Sequence, residues 1–264
     1  MTRRRLDAEL VHRGLARSRE HARGLVEDGR VVLGGVVATK PATQVDATAS
    51  IVVREAPDGP DYVSRGAHKL VGALDAFALD VAGRHALDAG ASTGGFSDVL
   101  LRRGVAAIVA VDVGYGQLAW PVRSDERVTV LERTNVRDLS RALLPFTPDL
   151  VVGDLSFISL ALVLPPLVAV SEPDADLVLM VKPQFEVGKE HVGAGGVVRD
   201  PALRSDAVRR IAAAAWDLGL GAAGVVASPL PGPSGNVEYF LHLRRGADRL
   251  DDADLQRAIE EGPR

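Results

Sequence analysis

The chain has 264 residues, of which 47% are hydrophobic and 25% are charged, as in ordinary soluble globular proteins. This composition excludes a collagen, a disordered chain and a coiled coil. The absence of cysteine excludes disulfides, thiolate zinc sites and cysteine nucleophiles. The length favours one large domain or two smaller ones.

The N-terminal region shows no apolar signal segment. The most apolar long stretch, residues 151–170, contains Asp154 and a Pro-Pro pair, which are typical of core elements and not of a membrane span. We therefore expect a cytoplasmic protein with no membrane partner.

Residues 1–55 predict a small α+β unit. Leu6, Leu10 and Val11 give one apolar face to a short helix that ends at Gly14, and Ser18 is a good N-cap for a second helix. The segment VVLGGVV predicts a hairpin, and residues 51–54 predict a further strand. The polar residues 56–64 form the predicted linker.

This N-terminal unit is basic, although the whole chain has a net charge of −4. Residues 1–40 contain nine basic and five acidic groups. The stretch RLDAELVHRGLARSREHARGLVEDGRVVLGG resembles the S4 RNA-binding domain over residues 4–53. The resemblance implies RNA contacts by the clustered arginines, whereas the residues alone are also compatible with a solvated helix face. The arginines concerned are Arg3, Arg4, Arg5, Arg17, Arg19 and Arg23.

Strands and helices alternate over residues 65–246, which predicts a mostly parallel α/β sheet with helices on both faces. Helices are predicted at 65–79, 95–103, 158–170 and 200–218. Strands are predicted at 84–89, 106–112, 127–131, 148–153, 175–181, 222–228 and 236–244, the last two as an antiparallel hairpin. Residues 247–264 are polar and acidic and predict a surface helix or a frayed tail.

A glycine-rich turn follows the first of these strands in HALDAGASTGGFSDVLL (85–101). It departs from the dinucleotide fingerprint GxGxxG. It resembles motif I of S-adenosylmethionine methyltransferases, DxGxxxGGF, so we expect a Rossmann-like class I methyltransferase domain after the S4 unit. The resemblance implies that S-adenosylmethionine is held by Asp88, Gly90, Ala91, Ser92, Thr93, Gly94, Gly95 and Phe96.

The next strand ends in Asp112, which lies 24 residues after Asp88. A carboxylate in this place suits hydrogen bonds to ribose hydroxyls. Val113 and the following GYGQL are expected beside the cofactor, and in a typical fold of this kind Asn135 lies near the adenine. Each of these residues could instead serve as a turn or cap residue.

Four charged residues stand in apolar or Gly/Pro-rich segments: Lys69 in SRGAHKL, Asp154 in VVGDLSFISL, Lys182 in VLMVKPQFEVGK and Glu238 in PSGNVEYF. The set resembles the tetrad of FtsJ-type ribose 2′-O-methyltransferases. A ribose hydroxyl is a poor nucleophile and needs help to lose its proton, which a lysine of lowered pKa can give and an arginine cannot. We expect Lys182 to orient and deprotonate the hydroxyl and Asp154 to orient Lys182 and balance charge near the cofactor.

In this interpretation Lys69 and Glu238 position the ribose. Taken singly, each residue also has an ordinary structural role: a lysine can be a surface cation, Asp154 can cap the helix that follows, and Glu238 can pair with a neighbouring arginine. Phe157 is either a stacking surface for a flipped nucleotide or a core aromatic. DLSF lacks the prolines of the (N/D)PP(Y/F) motif, which favours a hydroxyl target over an amine.

Over almost all 264 residues the chain resembles the TlyA family. This resemblance implies a cytidine 2′-O-methyltransferase of 23S and also 16S ribosomal RNA, with ribosomal subunits as partners and no DNA. Arg65 and Lys189 are further expected RNA contacts. Two alternatives are a membrane-active haemolysin and a non-catalytic RNA-binding protein. The six histidines show no metal-ligand spacing, so no metal site is predicted.

Overall fold

A computed structural model describes residues 3–16, 18–27, 29–54, 62–232 and 234–263. The chain divides into two compact units, residues 1–61 and residues 62–264. Tyr62–Ser64, which were predicted as the end of the linker, pack within the second unit. There the Val63 amide donates to the Asp98 carboxylate at 2.8 Å, and the Arg102 guanidinium lies 4.4 Å from the Tyr62 ring centroid.

The first unit combines two short helices with small antiparallel sheets. Its elements are β1 (Arg4–Arg5), α1 (Leu6–His12), α2 (Arg19–Glu27), β2 (Val31–Leu33), β3 (Val36–Val37), β4 (Gln44–Val45) and β5 (Ile51–Val53). Strand β2 pairs with β3 and β5, and β1 pairs with β4. The predicted hairpin turn is confirmed: Gly34 and Gly35 both have positive φ, as a tight turn between twisted strands requires. The predicted cap is also present, because the Ser18 hydroxyl accepts from the His21 amide.

The second unit begins with α3 (Ala67–Ala76). Then follow β6 (His85–Ala89), α4 (Gly95–Arg102), β7 (Ala107–Val111), α5 (Trp120–Arg123), β8 (Val128–Leu131), β9 (Leu150–Gly153), α6 (Leu164–Val170), β10 (Asp176–Val181), α7 (Pro183–Glu186), α8 (Pro201–Asp217), β11 (Gly221–Ala227), β12 (Tyr239–Arg244) and α9 (Asp252–Glu261).

Seven of the described strands form one sheet in the order β11-β12-β10-β9-β6-β7-β8. Strands β10, β9, β6, β7 and β8 are parallel, and β12 is antiparallel to both of its neighbours. The chain runs outward from β6 to β8 and then returns to β9 on the other side of β6. This reversal opens a crevice at the carboxyl ends of β6 and β9, where ligands bind in open α/β sheets.

Apolar side chains cover both faces of this sheet. Alternate residues of β6 point to opposite cores: Ala86 packs with α3 and α4, and Leu87 packs with α6 and α8. The predicted α/β architecture with helices on both faces is therefore confirmed. Such two-sided burial explains the almost unbroken apolar runs of the central strands.

One predicted segment differs from the structure. The single helix predicted over 158–170 is a 3₁₀ turn, Leu160–Leu162, followed by α6, because a proline fits only the first turn of a helix and Pro165 therefore begins a new one. Of the two alternatives for residues 247–264, the surface helix is confirmed: α9 lies there, and its Leu255 and Ala258 are buried in the core. Within the described ranges, no helix is long and apolar enough to cross a membrane.

Candidate active site

The carboxyl edge of the parallel strands brings the predicted site residues together. Gly90 follows β6, Asp154 follows β9 and Lys182 follows β10, and these three strands are neighbours. Val181 pairs with Tyr239 across the antiparallel β10–β12 ladder. Lys182 directly follows Val181, and Glu238 directly precedes Tyr239. These two residues therefore lie opposite each other at the same edge of the sheet. The antiparallel direction of β12 places the residue before this strand at the same edge as the ends of the parallel strands.

Lys182 and Asp154 form an ion pair at this edge. The Lys182 Nζ lies 2.6 Å from Asp154 Oδ1 and donates a hydrogen bond to Ser156 Oγ at 2.8 Å. The lysine side chain is 9% exposed and the aspartate side chain 25% exposed, so the pair opens to solvent on the aspartate side. A lysine held in this way has a fixed position and still faces a region that a substrate can reach.

Lys69 and Glu238 form a second ion pair, with Lys69 Nζ 2.5 Å from Glu238 Oε2. Both side chains are almost fully buried, at 8% and 1% exposure. The pair joins α3 to the start of β12, and its two members are 169 positions apart in the sequence. The four residues of the predicted tetrad thus occur as two ion pairs, one half open and one closed.

The turn after β6 has a backbone that only small residues fit. Gly90 has φ +84°, and a Cβ there would lie 3.0 Å from the Asp154 carbonyl oxygen and from Leu155 Cδ2. Gly94 has φ +92°, and a Cβ there would lie 2.8 Å from Leu118 Cδ1. The Gly90 and Ala91 amides both donate to the Val111 carbonyl, which ties the turn to β7. Glycines are therefore required for the turn to pass this close to β9 and α5.

Asp88 lies beneath this turn and is fully buried. Its Oδ2 accepts from the Ser97 hydroxyl at 2.6 Å, while its Oδ1 has no hydrogen-bond partner among the residues that the structure describes. Burial raises the pKa of the Asp88 carboxyl to about 7. The nearby carboxylates of Asp154 and Asp112 also raise this pKa, and hydrogen bonds from Ser97 oppose the rise. An unpartnered buried oxygen beside a glycine turn suits a polar, cationic ligand.

Asp88→Asn is expected to stabilise the ligand-free protein at pH 8 more than at pH 5. Because the folded-state pKa is above the ordinary value, the folded state holds this proton more tightly, and stability from Asp88 is lost as pH rises toward 7. Asparagine has no such ionisation, so the difference in free energy of unfolding between variant and parent grows with pH. Urea unfolding at the two pH values measures it. Asp206→Asn, an exposed carboxylate, is the control; equal differences for both variants would contradict the prediction.

A cleft beside the turn is bounded by Asp112. The Asp112 carboxylate accepts from the Ser92 amide at 2.8 Å and from the Gly114 amide at 2.7 Å, which fixes both oxygens at the mouth of the cleft. The cleft is lined by Ala91, Ser92, Ala110, Asp112, Gly114, Gln117, Leu118, Val130 and Glu132. Carboxylate oxygens at the rim of an apolar slot suit a ribose diol with a planar base beyond it.

Several residues predicted to hold the cofactor have other contacts. The Phe96 side chain is buried in the core, with its ring centroid 6.0 Å from that of Phe240. The Asn135 side chain caps a 3₁₀ turn by accepting from the Arg137 amide, and it does not line the cleft. Val113 is largely exposed. The N-cap of α4 is Gly94, and neither Ser92 nor Thr93 caps this helix with its side chain.

Phe157 comes three residues after Asp154 in the chain and is 91% exposed, so the alternative of a core aromatic is wrong. Its backbone has φ +62°, which costs energy for a residue other than glycine. Its ring lies 5.2 Å from that of Phe185, on the helix that follows Lys182. An exposed ring kept in a strained backbone is typical of a functional position. Arg65 and Lys189 are also exposed.

The arginines of the first unit surround two buried carboxylates. Arg5, Arg19 and Arg23 contact Asp7, and Arg4 contacts Glu9. Arg3 is exposed. Arg17 lies outside the described residues.

Sequence reasoning missed several side chains of the site. Ser156 binds the Lys182 amine, and Ser97 binds the Asp88 carboxyl. The buried Glu186 accepts from the Ser159 hydroxyl and the Leu160 amide, which joins the segment after β9 to α7. Each of these residues lies within a few positions of a predicted site residue in the sequence, and this proximity is the signal that could have identified them. Among the described residues, no cluster of three histidines or carboxylates could hold a metal ion.

Comparison with known proteins gives two family matches. FtsJ-like methyltransferases match residues 62–245, and the S4 domain matches residues 4–51. A 16S/23S rRNA (cytidine-2′-O)-methyltransferase TlyA from Mycobacterium tuberculosis is 61% identical over 99% of both chains. Hemolysin A from Brachyspira hyodysenteriae is 34% identical over 90% of this chain and 99% of its own.

A solved structure from Streptococcus thermophilus, described as a candidate hemolysin, has a TM-score of 0.78 at 35% identity. It covers 99% of this chain and 96% of its own. The expected methyltransferase sheet and S4 unit are thereby confirmed. The glycine turn, the two ion pairs and an S4 unit thus occur together in one chain, and this chain belongs to the TlyA family of FtsJ-like methyltransferases.

Proposed function

We propose that this protein transfers a methyl group from S-adenosylmethionine to the 2′-hydroxyl of a cytidine in ribosomal RNA, in the cytoplasm. The observation that carries the proposal is the Lys182–Asp154 ion pair, which lies beside the glycine turn at one edge of the sheet. The M. tuberculosis relative, whose name includes both 16S and 23S rRNA, supports small and large ribosomal subunits as substrates.

The residues around the turn fit S-adenosylmethionine. The unpartnered Asp88 Oδ1 and the close-packed Gly90 backbone suit its amino-acid end, and Asp112 suits its ribose. The apolar slot lined by Leu118 and Val130 suits its adenine. When bound, this cofactor supplies a methyl group on a positively charged sulfur, which is an electrophile.

The chain's own contribution is to orient the 2′-hydroxyl and to take its proton. Asp154 and Ser156 hold the Lys182 amine from two sides, which leaves its third substituent position for the substrate oxygen. As the 2′-oxygen gains the methyl group, its proton passes to the lone pair of Lys182, which for this step is in its uncharged amine form with its two N–H groups toward Asp154 and Ser156. Asp154 stabilises the lysine ammonium formed in this way.

The Lys69–Glu238 ion pair helps to hold Lys182 in place. The pair fixes the start of β12 against α3, next to Lys182 in the sheet register. The S4 unit then supplies exposed arginines for the RNA backbone, which position a substrate without reading its sequence. Arg65 and Lys189 extend the cationic contacts of the second unit in this proposal.

The test is methyl transfer from labelled S-adenosylmethionine to isolated small and large ribosomal subunits. We expect label on a cytidine ribose, and loss of that label with Lys182→Ala. Transfer to a base would contradict the hydroxyl target. Absence of transfer to either subunit, with cofactor binding intact, would favour a non-catalytic RNA-binding protein. Lysis of red cells by the cofactor-free protein would favour the membrane-active alternative.

Phe157→Ala is expected to lower methyl transfer about tenfold, because stacking of one base on an aromatic ring contributes about 1–3 kcal/mol. Thermal stability and cofactor affinity should stay unchanged, since the ring is almost fully exposed. Steady-state transfer to ribosomal subunits and a melting curve measure the two effects. Leu162→Ala, which removes another exposed apolar side chain from the same segment, is the matched control. Equal rates for the two variants would contradict a stacking role.

A further inference from the structure

A carboxylate with no access to solvent lies at the centre of the arginine cluster of the S4 unit. Asp7 is 0% exposed, yet it contacts three arginines whose side chains are 40%, 56% and 56% exposed. Arg5 binds it with two nitrogens, at 3.1 and 2.9 Å. Arg19 Nη2 lies 3.2 Å from Asp7 Oδ2, and Arg23 Nε lies 3.7 Å from the same oxygen.

These arginines come from two elements that are distant in sequence. Arg5 lies in β1, and Arg19 and Arg23 are four residues apart on one side of α2. Three guanidinium groups brought to one place repel each other, and a carboxylate between them offsets that repulsion. Hydrogen bonds from Arg5 are the main reason that the pKa of Asp7 is lowered to about 2, so Asp7 stays ionised at neutral pH.

We propose that Asp7 is a positioning residue for RNA binding, which holds Arg5, Arg19 and Arg23 as one preformed site for adjacent backbone phosphates. This inference rests on the proposed function, since it assumes that the S4 unit binds the substrate RNA. Each guanidinium has five N–H donors, and the contacts with Asp7 engage one or two nitrogens of each. The remaining donors on these half-exposed groups suit phosphate oxygens. Arginines that are already fixed lose less conformational entropy on binding.

For the RNA affinity of the Asp7→Asn variant, the proposal predicts a change opposite to the one that charge alone predicts. Asp7→Asn removes a negative charge from a cationic surface, which by charge alone tightens RNA binding. If Asp7 positions the arginines, the same variant weakens binding to large ribosomal subunits, by about tenfold. The matched control is Glu9→Gln, which removes another buried carboxylate of this unit and raises the charge equally. Glu9 contacts Arg4 and Arg13 and leaves the three arginines on Asp7.

The experiment measures equilibrium binding of the full-length protein to large ribosomal subunits at several salt concentrations. We expect Glu9→Gln to bind at least as tightly as the parent and Asp7→Asn to bind about tenfold more weakly. Asp7→Glu, which keeps the charge but displaces the carboxylate, should also bind more weakly. Asp7→Asn binding as tightly as Glu9→Gln would overturn the proposal.

Two further measurements separate the causes of failure. Thermal unfolding and limited proteolysis report whether the S4 unit of each variant is folded; unfolding of both Asp7 variants would make Asp7 a structural residue and overturn the proposal. In a double-variant cycle, Arg19→Ala should have a smaller effect in the Asp7→Asn background than alone, and additive effects would contradict positioning. A parent protein that binds subunits without methylating them would refute the proposed reaction and leave the Asp7 comparison valid.

Discussion

Lys182→Arg and Lys182→Met are both expected to lower the rate of methyl transfer about a thousandfold, within the 10²–10⁴ range of general base catalysis. Arginine keeps the positive charge beside Asp154 but cannot be deprotonated, so it cannot take the proton of the 2′-hydroxyl. Methionine keeps the length of the side chain and removes both charge and proton acceptor. Single-turnover transfer to ribosomal subunits measures the chemical step.

Cofactor affinity should change little in both variants, because Lys182 does not line the cleft beside Asp112. Titration calorimetry with S-adenosylmethionine checks this expectation. Lys40→Ala, an exposed lysine of the first unit, is the control for loss of a lysine. If Lys182→Arg keeps more than a tenth of the parent rate, then Lys182 acts only through its charge, and the proton goes elsewhere.

Glu238→Leu is expected to lower the free energy of unfolding of the second unit by about 3 kcal/mol and to abolish methyl transfer. Removing one member of a buried ion pair leaves the other charge without a partner, which costs about 3–5 kcal/mol. Both members are nearly inaccessible to solvent, so hydration cannot compensate Lys69. Urea unfolding and the transfer assay measure the two effects.

The double variant Lys69→Met/Glu238→Leu separates stability from catalysis. Replacing a buried ion pair with apolar residues of similar volume is often neutral or stabilising, so the double variant should regain the stability of the parent to within about 1 kcal/mol. Its activity should stay lost if the pair positions the ribose. A stable double variant with the parent rate would show that Lys69 and Glu238 contribute only to folding.

The sheet could be predicted from the sequence because each of its central strands is an apolar run that ends at a polar or glycine residue. Burial on both faces requires such runs, and the carboxyl edge of a parallel sheet requires the functional residue to follow them. The break before Pro165 was missed because apolar periodicity continues through it, and only the fixed geometry of proline ends the first turn.

The site was predictable in part. Charged residues in apolar segments identified Lys69, Asp154, Lys182 and Glu238, and the structure groups them as two ion pairs. Their pairing could not be predicted, since it depends on β12 entering the sheet between β10 and β11. Asn135 and Phe96 show the limit of motif reasoning, because a residue within a motif can contribute a cap or a core side chain instead of a ligand contact.

The position of β12 also determines when the site is complete during synthesis. This strand follows all the other described strands in sequence, but it lies inside the sheet and not at its edge. The glycine turn, Asp112 and the Lys182–Asp154 pair all precede β12 in the sequence. Lys69 also precedes β12, but its partner Glu238 comes 169 positions later. During synthesis the methyl-transfer centre can therefore be completed only after β12 has emerged from the ribosome. Fragments that end before β12 lack the partner of Lys69 and leave β10 exposed as an open sheet edge.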